Sequence, residues 1–142
     1  MIAVAATVAV VGGIFAFRES QRTHSDTATS SAEFDVDAVS LVRHFLEDEE
    51  AAKLKYTAGH GQVLLVRGTV RAVESVSEQL VNVVLETGDP STSVICEFQK
   101  ADVPASFIPG GSIAIKGVCK DLNKDDLFGQ TDVLLQRCVA AK

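Results

Sequence analysis

The groups in this 142-residue chain that could do chemistry are three cysteines, three histidines, two acidic runs and a few basic side chains. Cys96, Cys119 and Cys138 are scattered, with no CxxC or HxxxH spacing, so no zinc site is expected. His24, His44 and His60 have no reason to converge, and each reads as an ordinary surface or loop histidine. The run EDEE at 47–50 falls on a helix, where only residues three or four apart share a face. It therefore reads as a solvated side. In DLNKDDLFGQTD, Asp121, Asn123 and Asp125 stand at the first, third and fifth places of an EF-hand-like loop, with Asp132 at the twelfth. The sixth place is Asp126, where the turn needs glycine, so a polar hairpin loop is expected and no metal. There is no Ser-His-Asp arrangement, phosphate-cradling loop or convergent carboxylate pair. The expectation is a non-enzyme without a cofactor.

Arg67 and Arg71, four apart on one side of a strand, and Lys116 on another strand are the candidates for a ligand-binding stripe. Against them stand a net charge of -6 and a pI near 5.0. Between Phe34 and Lys142, eleven Lys or Arg face sixteen Asp or Glu. Holding phosphates requires clustered cations, so this balance disfavours nucleic acid as a partner.

The elements that must position these groups start after an apolar run at 2–17, IAVAATVAVVGGIFAF. With Met1 it lies at the short end of what spans a bilayer as a helix, and it lacks the basic leader and small-x-small site of a cleaved signal peptide. Residues 1–18 are therefore expected to be an uncleaved signal-anchor, a single-pass transmembrane helix holding the protein in the membrane. Residues 19–33, rich in Ser, Thr and Ala, read as a flexible tether. Arg18 and Arg22 follow the run, and the positive-inside rule taken literally leaves the following domain in the cytoplasm.

The domain proper is expected over 34–142. Asp35 is placed to cap one long helix through Lys55, with Ala38, Val42, Phe45, Leu46 and Ala52 on its apolar face. The stretch QVLLVRGTVRAV at 62–73 alternates as a strand, and Gly68 marks an expected bulge or bend. LVNVVLET turns Val81, Val83 and Leu85 to one side, and VICEFQ turns Val94, Cys96 and Phe98 inward. Pro104, Pro109, Gly110 and Gly111 limit the next segment to a short helix, after which SIAIKGVC and TDVLLQRCVA supply two further strands. The fold class expected is mainly β with one long helix: a five-stranded Greek-key OB-fold barrel preceded by an α-helix. Such a barrel sets its third and fifth strands side by side. In an oxidising compartment Cys96 with Cys138 is then the preferred disulfide, while in a reducing one all three cysteines are small buried apolar residues.

EEAAKLKY, QVLLVRGTV, VICEF, GGSIAIKGVCK and DVLLQRC, with the spacing of Ala51, Ala52, Tyr56, Gly68, Gly111, Gly117 and the cysteines, resemble the tRNA_anti-like family of OB-fold proteins. The apolar segment and short tether also look like membrane-anchored members, and that resemblance implies an extracytoplasmic domain. The resemblance implies a fold and not an RNA ligand. LVNVVLET carries no aromatic, whereas single-strand binding uses aromatic platforms on the second and third strands. The expected function is a non-enzymatic membrane-tethered OB-fold module for a protein or small ligand. The alternative is a single-stranded nucleic acid or RNA-binding OB-fold domain.

Overall fold

The computed structural model describes residues 31–57 and 62–141. The apolar run, almost all of the tether, His24 and His60 lie outside the described residues. Among the described residues no helix is long and apolar enough to cross a membrane.

The chain enters through a short strand, β1 (Phe34–Asp37), and turns at once into α1 (Ala38–Glu47) and α2 (Glu49–Tyr56). The single long helix is thus corrected to two. Asp35 lies in β1, and the cap of α1 is Asp37, whose carboxylate accepts from the Ser40 N–H at 3.1 Å. Asp48 breaks the helix because its backbone is extended while its carboxylate accepts from the Ala51 N–H, so it ends α1 and caps α2. Ala38, Val42, Phe45 and Ala52 are buried as expected, but Leu46 is exposed and Leu41 takes its place in the core.

Five strands follow: β2 (Val63–Ser75), β3 (Leu80–Leu85), β4 (Thr92–Gln99), β5 (Ser112–Asp125) and β6 (Gln130–Ala140). Their order, β2-β3-β4-β6-β5 with β5 returning to β2, closes a barrel. All neighbours are antiparallel except β4 and β6, which run parallel, so this is the Greek-key OB-fold connectivity. Closure leaves the five barrel strands without an open edge. The sixth strand, β1, pairs parallel to the first half of β2, from Phe34 opposite Leu64 to Asp37 opposite Arg67.

Val81, Val83, Leu85, Val94, Cys96 and Phe98 all point inward and are buried, against Leu41 and Phe45 of α1. Between β4 and β5 only a 3-10 turn forms, at Lys100–Asp102, and Phe107 from the loop beyond it packs edge-on against Phe98. The bulge in β2 falls between Val70 and Ala72, not at Gly68. Gly68 keeps regular register opposite Ile113 and serves close packing instead, since a Cβ there would stand 3.2 Å from the Ala38 Cβ.

Candidate ligand-binding face

Alternation along β2, β3, β4 and β6 decides what the barrel shows to solvent. With Val83, Cys96 and Leu135 turned inward, the outward positions fall into cross-strand rows. One row is apolar, with Ala72, Ile95 and Leu134 half-buried and Val84 only 8% exposed: Ala72 lies opposite Val84, Val84 opposite Ile95, and Ile95 opposite Leu134. The next is acidic and polar, Glu74 opposite Asn82 and Asn82 opposite Glu97. Neither row holds a cation or an aromatic ring, and Phe98 lies fully in the core. At the end of β4 a cleft of about 430 Å³ is lined by Glu78, Gln79, Gln99, Lys100 and Ala101. On the other side the β5–β6 turn carries Leu127 and Phe128, 84% and 79% exposed.

The candidate basic stripe is not assembled. Arg67 donates from Nε and Nη2 to the Asp35 carboxylate at 3.1 Å each, an exposed clasp between β2 and β1. That bond holds the Asp35 carboxyl below its usual value. Arg71 sits at the bulge and donates to both oxygens of Glu86, at 2.7 and 3.2 Å, and to the carbonyls of Thr92 and Asp89 at 2.9 and 3.2 Å. Its side chain is 23% exposed. Thr87 donates to the Thr92 carbonyl, and the Asp89 carboxylate accepts from the Ser91 N–H and hydroxyl, so Arg71 ties together the whole β3–β4 turn. Lys116 lies on β5 between Leu65 and Val139 and is also engaged. Both arginines of the candidate stripe are thus paired to carboxylates, Arg67 to Asp35 and Arg71 to Glu86.

Among the described residues no group of three His, Cys, Asp or Glu could hold a metal. The three aspartates at the EF-hand-like positions each have a structural partner. Asp121 faces Lys53 at 3.6 Å, Asp125 accepts from the Leu127 and Phe128 N–H groups, and Asp132 is buried and accepts from Ser93 and Gln130. The EDEE run is likewise divided: Asp48 caps a helix and Glu49 pairs with Lys124 at 2.7 Å and Lys53. His44 Nδ1 lies 2.6 Å from the Tyr56 hydroxyl. Burial pushes the Tyr56 phenol up, and its hydrogen bond with His44 closes the contact between the two helices.

The apolar row and the exposed Leu127 and Phe128 are surface features that sequence reasoning missed. The row exists only through the register of four strands. For the turn there was a signal: two large apolar residues between Asp126 and Gly129 in a polar hairpin.

A putative nucleic acid-binding lipoprotein from Klebsiella pneumoniae has a similar structure, with TM-score 0.56 and 17% identity, covering 75% of this chain and 91% of that one. A putative aspartyl-tRNA synthetase from Leishmania major matches at TM-score 0.43 and 12% identity over 81% of this chain, which spans only 22% of the enzyme. An asparaginyl-tRNA synthetase from Entamoeba histolytica matches at TM-score 0.36 and 16% identity over 56% of this chain and 21% of its own. These likenesses concern the fold alone. No curated protein matches the chain in sequence. The tRNA_anti-like family model matches residues 1–138, so with the barrel and its connectivity established, this chain belongs to the tRNA_anti-like family.

Proposed function

We propose that this protein is a non-enzymatic, membrane-tethered OB-fold module that binds a protein partner across the outer face of β2, β3, β4 and β6. The observation that carries this reading is the apolar row from Ala72 to Leu134 lying beside the acidic row of Glu74 and Glu97. A partner fitted to it presents small apolar side chains flanked by Lys or Arg. OB-folds use this face and the loops at its sides, and here one such loop exposes Leu127 and Phe128. Exposed apolar residues beside a binding face suit a protein contact. The tether rests on the apolar run at 2–17, which falls inside the family match because that match begins at residue 1. The domain is extracytoplasmic in this reading.

A second reading, a single-stranded nucleic acid or RNA ligand, draws on the name of the Klebsiella lipoprotein. It lacks a basic groove on this face, since Arg67 and Arg71 are paired to carboxylates. Two experiments on the full-length protein separate the readings. A photo-crosslinking residue at Ile95 in the native membrane is expected to give a protein adduct that the same residue at Leu46, on an exposed helix position, does not. A fluorescent oligonucleotide that binds at low salt and is lost at moderate salt would replace the first reading with the second.

A further inference from the structure

We propose that Cys96 and Cys138 form a disulfide that staples β4 to β6, the parallel strand pair of the Greek key. In the structure all three cysteines are thiols. Cys96 and Cys138 are both fully buried in the core, with their sulfurs in hydrogen-bonding contact.

Three separate features bring Cys138 to that place. On β6 the inward positions are Val133 and Leu135, so simple alternation would make residue 137 the next. Instead β6 spends three residues, from Val139 to Gln136, against two on β5, from Lys116 to Val118. Arg137 absorbs the extra residue at φ 53°, the only non-glycine residue with positive φ among those described. That conformation is uncommon for a residue with a Cβ, and it turns Cys138 inward. Finally, Gly117 makes room for the sulfur, since a Cβ there would stand 2.7 Å from the Cys138 Sγ. A cysteine serving only as a small apolar filler needs none of this, because an inward residue 137 would fill the core without strain. Cys119 has no such arrangement. It is buried on β5, where desolvation pushes its thiol up to about 12.

The chemistry is thiol–disulfide exchange with a disulfide oxidant. One sulfur attacks the oxidant as a thiolate and the second displaces it, forming the Cys96–Cys138 bond. The two protons and two electrons pass to the oxidant, which leaves as two thiols. Burial and the neighbouring sulfur push the Cys138 thiol well above its ordinary value, so the closed core does not supply a thiolate. The bond forms while the chain folds or opens, and is then sealed inside. The staple is independent of what the outer face binds.

The test uses the full-length protein in detergent, incubated in a glutathione redox buffer just below its melting temperature, alkylated after denaturation and digested for mass spectrometry. The expected product is one cross-linked peptide pair, Cys96 with Cys138, lighter by two hydrogen atoms, with Cys119 alkylated. Melting should rise by on the order of 10 °C over the dithiothreitol-treated protein, because the bond closes a loop of about forty residues. Cys138→Ala should abolish both effects and Cys119→Ser neither. Three alkylated thiols, a pair that includes Cys119, or equal melting temperatures in the two buffers would overturn the proposal.

Discussion

Arg71 and Arg67 lie on the same strand and grip a carboxylate in the same forked way, yet only one of them is built into the fold. Arg71 is 23% exposed and adds two backbone carbonyls to its Glu86 pair, whereas Arg67 is 59% exposed and holds only Asp35. A guanidinium half removed from water, with its remaining donors satisfied, loses much when truncated, because its acceptors stay behind without partners. An exposed pair is screened and gives back most of its attraction as lost side-chain freedom. Residue type and bond geometry are shared, so the surroundings decide the energy.

The comparison breaks most directly at Arg71. Replacing it in Arg71→Met should lower the melting temperature by on the order of 10 °C, as it frees the Glu86 carboxylate and two turn carbonyls at once. A loss no larger than that of the Arg67 variant would end the distinction. Glu86→Gln keeps the shape and removes the charge, and should cost roughly half as much. Combined with Arg71→Met it should add little more, since both changes remove the same contact, and a double-mutant cycle read by thermal melts measures that coupling.

Acid titration sharpens the contrast. Arg71 holds the Glu86 carboxyl below its ordinary 4.5 by donating hydrogen bonds to it and by its charge. A carboxylate depressed in the folded state stabilises fully above its unfolded value, and that contribution fades as pH falls through the folded one. Stability should therefore begin to fall below about pH 4.5, and Arg71→Met should flatten that part of the profile. Asp35, lowered by Arg67 from 3.8, should act later and more weakly, because both partners are exposed. The smallest effect belongs to Arg67→Met, a melting shift of no more than about 2 °C.

Much of the barrel was legible in the chain. The alternation of Val81, Val83 and Leu85, and of Val94, Cys96 and Phe98, marked the inward faces because a strand repeats every two residues. The glycine and proline cluster before Ser112 correctly limited the helix between β4 and β5. Asp48 was misread because an aspartate inside an apolar period looks like a solvated position. Only its extended backbone shows that it ends one helix and caps the next. β1 escaped notice because four residues are too short to show a period.

The candidate site was far less legible. Arg67 and Arg71 looked like one stripe because four residues along a regular strand return to the same side. The bulge between Val70 and Ala72 breaks that regularity, and carboxylates distant in sequence claim both side chains.

By itself, the amino-acid sequence determined the strand faces, the Greek-key element content and the family, because these depend on periods and turn residues read locally. Tertiary structure alone decided which charges are spent and which outward residues line up as an apolar row. Each of those depends on register between strands far apart in the chain. A single extra residue, such as the one absorbed at Arg137, turns every later side chain to the other face.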